Sequence, residues 1–195
     1  VLNCVAVAGG ARTGGNCAEI AQWILDTLPD ELTSGKSLIE LASRKISPCQ
    51  GCTYECLKAP HEPCAMSDDV ESIWREVYGA DVVILVVPTY GGTPPALWMA
   101  LFERLQGLWR LLNRNQNQFW ATVVVASEEY AIGGEFTPQI MKGITEAKSE
   151  CTAFLWITPH SFKESSVEVG LVRYEGVVSQ LQTIIERITA WKENG

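Results

Sequence analysis

The sequence is short of positive charge. Fifteen Lys and Arg stand against 23 Asp and Glu, a formal net charge of −8. Nucleic acid is held by Lys- and Arg-rich faces, so no nucleic acid partner is expected. Long apolar runs are also missing. The longest, 80–88, is far too short to cross a bilayer, so no membrane partner is expected either. No basic n-region followed by an apolar h-region opens the chain; no secretory signal is read, and a cytoplasmic location is expected. Repeats, linkers and low-complexity segments are absent. The hydrophobic fraction of 47% is that of an ordinary globular core, and at 195 residues one domain over 1–195 is expected.

Cysteine is not scarce. Of seven, Cys49, Cys52, Cys56 and Cys64 fall in a Pro- and Gly-containing segment over 48–66. Cys4, Cys17 and Cys151 are scattered among apolar or small neighbours and read as buried small hydrophobes. A disulfide scaffold suits a small secreted chain, not one with an evident core.

The pattern alternates strand and helix. Strands are predicted over 2–8, 36–42, 81–87, 120–126 and 151–157. Helices are predicted over 16–28, from Val70 after the capping residues Ser67-Asp68-Asp69, from Thr93 as N-cap and Pro94 as N1 through Leu112, over 136–148, and around Val177 to Trp191. The segment over 48–66 reads as a loop. The third strand is apolar on both faces, as in a parallel sheet covered on both sides. Five such strands alternating with helices give an α/β doubly wound parallel sheet. Ligands of that architecture sit beyond the carboxyl ends of the strands.

Three loops lie there. The first is Gly9-Gly10-Ala11-Arg12-Thr13-Gly14-Gly15-Asn16. Its glycines let backbone N–H groups approach an anion, and the following helix adds its positive end. Arg12 offers a fork of donors, and Asn16 is placed to cap the helix or to donate to phosphate. A tight turn without a ligand is the plain alternative. The loop is neither a P-loop nor the G-x-G-x-x-G pattern. The second, Pro88-Thr89-Tyr90-Gly91-Gly92-Thr93-Pro94, is small enough to admit a planar group that Tyr90 would line. The third runs from Ser127 through Glu128, Glu129, Tyr130 and Gly133-Gly134 to Glu135. It would wrap the other edge of that group.

These residues resemble the NAD(P)H-dependent FMN reductase and iron–sulfur flavoprotein family. That family's first loop usually reads Gly-Ser-x-Arg-x-x-Gly-Asn-Thr, against Gly9 to Cys17 here. Its second block, Pro-x-Tyr and later Phe-x-Asp-Arg, is matched by Pro88-Thr89-Tyr90 and Phe102-Glu103-Arg104. Gly133-Gly134-Glu135 resembles a Gly-Gly-x element, and Pro48 to Cys52 with Asp68-Asp69 resembles its cysteine segment. The likeness runs to about Glu135. Gly10 and Cys17 depart from it, replacing hydroxyl residues that the family uses at the phosphate.

The resemblance implies a flavodoxin-like three-layer sandwich with strand order 2-1-3-4-5. It implies FMN bound by Gly9, Gly10, Arg12, Gly15, Asn16, Cys17, Pro88, Thr89, Tyr90, Gly91, Gly92, Ser127, Glu128, Tyr130 and Gly133. NAD(P)H would be the electron donor and a quinone, a free flavin or another small molecule the acceptor. The chemistry is the cofactor's, and no general acid or base is nominated. The cysteines, spaced C-x2-C-x3-C-x7-C, suit a 4Fe-4S cluster, one zinc ion, or free thiols. Iron–sulfur members have a tighter motif; here Thr53, Tyr54 and Glu55 lie between the second and third cysteines. His61 is a substitute ligand on paper. With a cluster, the protein would be an electron carrier instead. A homodimer or homotetramer is expected, because Trp98, Phe102 and Trp109 beside the leucine stripe after Thr93 exceed what one sheet face needs; family members commonly share the flavin pocket between subunits.

Overall fold

The computed structural model describes residues 1–52, 54–58, 64–108, 111–112, 114–126, 136–149, 151–158 and 168–194. Five parallel strands form one sheet: β1 (Leu2–Ala8), β2 (Thr33–Glu40), β3 (Val82–Pro88), β4 (Phe119–Val125) and β5 (Cys151–Ile157). Their order is β2-β1-β3-β4-β5, as expected. The chain moves outward from β1 to β2, then returns to place β3 on the other side of β1. That reversal is the topological switch point.

Helices cover both faces. On one side lie α1 (Asn16–Thr27) and α6 (Glu175–Asn194), on the other α3 (Val70–Gly79), α4 (Ala96–Leu105) and α5 (Phe136–Lys148). Ile20 and Ile24 of α1 and its C-cap Leu28 are buried, and Pro29 follows the helix end. In β3 Val82, Ile84 and Val86 enter one core layer while Val83, Leu85 and Val87 enter the other. Each such side chain contributes about 1.5–3 kcal/mol of burial. Among the described residues, no helix is long and apolar enough to cross a membrane.

Four expectations need correction. The second strand starts at Thr33, not at Lys36, and ends at Glu40. It is a half-exposed edge strand, so its polar start carries no apolar signal, and Leu41 is buried in a following turn. The helix after β3 starts at Ala96, with Pro95 as N-cap, and ends at Leu105. Pro94 precedes a second proline and is driven to extended backbone. Thr93 instead closes a turn with Tyr90 through N–H to carbonyl bonds in both directions (2.9 and 3.1 Å). Third, the cysteine segment is not all loop, because α2 (Glu55–Lys58) carries Cys56. Fourth, Trp98 is 1% exposed and packs against Phe102, whose ring meets Trp74 at 5.1 Å. These aromatics belong to the core rather than to a spare outer face.

Candidate functional site

Strand register sets the first two loops side by side. Ala8 pairs with Val86 and Pro88 with Val125. The Gly9 N–H donates to the Val86 carbonyl at 2.8 Å, and Thr89 N–H to Val125 at 3.0 Å. Across the gap, the Ala11 N–H donates to the Tyr90 hydroxyl at 3.2 Å. Tyr90 therefore ties the two loops together while staying half exposed. Gly91 and Gly92 have φ of 58° and 80°, which the turn requires and other residues rarely adopt. The Thr137 hydroxyl at the start of α5 donates to the Gly92 carbonyl at 2.7 Å.

The first loop fits a phosphate. Among the described residues, the N–H groups of Gly10, Thr13, Gly15 and Cys17 take no acceptor. They stand at the positive end of α1, whose N-cap is Gly15 rather than Asn16. Arg12 is exposed and folds over Gly15. Burial pushes the Cys17 thiol up to about 12, with nearby Arg12 pulling the other way. Cys17 is thus a neutral wall of the loop. The Asn16 amide is buried and spends itself on the chain before α6, donating to Glu168 O at 2.7 Å and accepting from Gly170 N at 3.0 Å. Glu40, at the end of β2, accepts the Gly14 N–H at 2.7 Å and places a carboxylate at the loop. The third-loop residues Ser127, Glu128, Glu129, Tyr130, Gly133, Gly134 and Glu135 lie outside the described residues, as do Thr53, His61 and Trp109.

The cysteine segment makes a second site. Cys49, Cys52, Cys56 and Cys64 all line one small cavity, together with Met66, Arg104 and Gly107. All four are free thiols. Burial, then the facing thiols of Cys64, Cys52 and Cys49, pushes Cys56 above its ordinary value. Crowded thiolates of this kind are relieved by a cationic centre. Among the described residues, no three Cys, His, Asp or Glu close to single-ion distance. Around one zinc, thiolates sit about 3.8 Å apart, from a Zn–S bond of about 2.3 Å. Four thiols lining one cavity match the donor set of a 4Fe-4S cluster.

Helix α4 holds this segment in place. Glu103 accepts the Cys49 N–H at 2.5 Å. Arg104, 3% exposed, pairs with Asp68 and donates to Ser47 O at 3.3 Å and Cys64 Sγ at 3.4 Å. Asp68 also accepts the Ser47 and Val70 N–H groups at 3.1 and 3.3 Å. Gly107 lies so near α2 that a Cβ there would meet Cys56 Sγ at 2.8 Å. Site-by-site reading of the sequence nominated none of Glu40, Asp68, Glu103, Arg104 or Gly107 as functional. A signal existed for Arg104: it lies three residues after Leu101 and four before Leu108, on the buried stripe, where a charge must have a partner.

A parallel order reversing at β1 and β3, with a donor-rich loop at the reversal, defines a flavodoxin-like α/β protein. The chain belongs to the NADPH-dependent FMN reductase family, whose sequence model matches residues 2–136. An iron–sulfur flavoprotein of Methanosarcina thermophila is 27% identical over 103 residues, which is 53% of this chain and 52% of the relative. Another, of Methanocaldococcus jannaschii, is 27% identical over 136 residues, covering 70% and 67%. The match to the Methanosarcina relative thus spans about half of that protein. Among solved structures, a Bacillus anthracis azoreductase superposes with a TM-score of 0.65 at 13% identity, covering 99% of this chain and 100% of its own. A Streptococcus pneumoniae flavodoxin gives 0.54 at 15% identity, covering 96% and 97%. These two superpositions establish the shared fold.

Proposed function

We propose that the protein is an FMN-dependent oxidoreductase that takes electrons from NAD(P)H and passes them to a small acceptor such as a quinone or a flavin. The observation that carries this is the loop from Gly9 to Cys17, its unpaired N–H groups set at the switch point and tied to the Tyr90 loop. Bound there, FMN supplies the hydride and electron chemistry. The chain's own residues do the positioning. Gly10, Thr13, Gly15 and Cys17 offer backbone donors and Arg12 offers charge. Pro88 to Gly92 make a small-residue wall for a flat ring, with Tyr90 exposed beside it.

A second reading is favoured by a specific observation. All four cysteines of the segment line one cavity, and relatives at 27% identity are named iron–sulfur flavoproteins. In this reading Cys49, Cys52, Cys56 and Cys64 hold a 4Fe-4S cluster and the protein exchanges electrons with FMN and cluster together. Self-association stays part of the proposal. Its support is now the exposed Met99 and Phe136, which line an apolar groove with Pro94 and Pro48. Sedimentation at micromolar concentration should show a dimer or tetramer.

The deciding experiment is anaerobic purification, followed by flavin, iron and sulfide analysis and NADH and NADPH oxidation rates. FMN with rapid NAD(P)H oxidation supports the reductase. FMN with iron, sulfide and slow NAD(P)H oxidation supports the carrier. Absence of flavin binding overturns both.

A further inference from the structure

The most telling group outside the FMN loop is Arg104. Its side chain is 2% exposed, as is that of its partner Asp68. It borders the cavity shared by the four cysteines. One guanidinium nitrogen pairs with Asp68 and Ser47 O, and another donates to Cys64 Sγ at 3.4 Å. The remaining one, Nε, is buried and has no acceptor among the described residues. A buried unmade hydrogen bond is expensive, and cores rarely keep one without a use. An ion pair alone would not need this placement: Asp68 is satisfied by the guanidinium and by the Ser47 and Val70 N–H groups. The residue that carries this spare donor lines the cavity shared by the four cysteines.

We propose that Arg104 is a positioning residue for the cluster in the cysteine cavity, its N–H groups donating to the Cys64 thiolate and to a sulfide and thereby raising the reduction potential. This rests on the reading of the four cysteines as cluster ligands. The physical cause is charge. Reduction adds one electron to a centre that is already anionic with four thiolates. Hydrogen bonds to its sulfurs disperse that added charge and favour the reduced state. Asp68 holds the guanidinium in place and offsets part of its charge, so removal of the two groups should act in opposite directions.

The test uses anaerobically prepared protein carrying its cluster and FMN. Iron and sulfide per chain are measured first, then the cluster's midpoint potential by redox titration followed by electron paramagnetic resonance. The main variant combines Arg104→Met with Asp68→Asn. It leaves the local net charge unchanged, keeps one amide oxygen as an acceptor where Asp68 offered two to Ser47 and Val70, and removes every Arg104 donor. Unchanged iron and sulfide with a more negative potential is the expected result. Asp68→Asn alone should shift the potential the other way, and Arg104→Lys should fall between parent and double variant. An unchanged potential in the double variant overturns the inference and leaves the cysteine reading standing. If the double variant loses its iron, Arg104→Lys decides by the same titration, and a parent-like potential there overturns it. A parent without iron or sulfide removes the cysteine reading itself, and the inference with it.

Discussion

Arg104 and Asp68 form an ion pair in which each side chain is only 2% exposed, at the point where α4 meets the cysteine segment. Burial on its own would raise the Asp68 carboxyl. The Arg104 guanidinium and the N–H groups of Ser47 and Val70 outweigh it and hold the group below its ordinary 3.8. A depressed carboxylate contributes stability that is fully present above its unfolded value and lost as pH falls through the folded one. Urea unfolding should therefore show stability dropping below about pH 4, and Asp68→Asn should flatten that drop. An equal slope in both proteins would deny Asp68 the role.

Gly107 makes the next prediction. A methyl at this position meets Cys56 Sγ at 2.8 Å and its Cβ at 3.1 Å, so Cys56 must shift away from the turn that follows α4. Gly107→Ala should lower iron per chain after anaerobic reconstitution, while FMN affinity compared between iron-free variant and iron-free parent stays the same. Full iron content would show that the segment adapts.

At the other site, Arg12→Ala should weaken FMN. One charge-assisted contact is worth about 1.5–3 kcal/mol, a loss of about tenfold or more in affinity. Quenching of flavin fluorescence on titration reads this directly. An unchanged curve would remove Arg12 from the phosphate site.

Glu40 predicts the opposite sign. Its carboxylate accepts the Gly14 N–H at 2.7 Å, at the loop proposed to hold the FMN phosphate. Glu40→Gln keeps an acceptor and removes the charge. Two unit charges about 4 Å apart in water repel by about 1 kcal/mol, so FMN should bind about fivefold tighter, and most clearly at low salt. Weaker binding would mean that the carboxylate orders the loop more than it repels.

Thiol chemistry separates the buried cysteines from the rest. Burial raises Cys17 to about 12, and burial with the nearby Asp81 charge raises Cys4 to about 11. At pH 8 about one Cys17 in ten thousand is the reactive thiolate. In metal-free protein a disulfide reagent should label the exposed Cys49 and Cys52 promptly, and Cys4 and Cys17 only on unfolding. Fast labelling of Cys17 would show an open first loop.

Much of this architecture was legible in residue order. Strands β1 and β5 fall on their predicted bounds, because each is a short, largely apolar run set off by its neighbours in sequence. The polar start of β2 was invisible, since an edge strand needs no apolar alternation. The end of α4 was missed for another reason: Leu108 and Leu112 continue the helical spacing, but their backbone only turns, and Gly107 is held against Cys56. The first two loops were named correctly as neighbours, whereas the Ala11–Tyr90 bond joining them is tertiary and leaves no local pattern. Trp98 misled because hydrophobicity does not say which side of a helix is covered. Phe102-Glu103-Arg104 and Asp68-Asp69 stood out as motif matches, but the clamp of Glu103 and Arg104 on residues more than 35 positions away was hidden, although a cation on a leucine stripe already required a counter-charge somewhere.

Helix α4 follows the Tyr90 turn at one end and grips the cysteine segment at the other. Its ten residues are about 15 Å of stiff rod. Two occupants anchored to one rod do not bind independently when either displaces it. By thermodynamic linkage the influence runs equally both ways. Whatever factor a filled cysteine cavity applies to the hold on FMN, FMN returns in full to the hold on whatever fills the cavity. A flavin titration of iron-loaded and iron-free protein would therefore also measure by what factor FMN changes the hold on the iron.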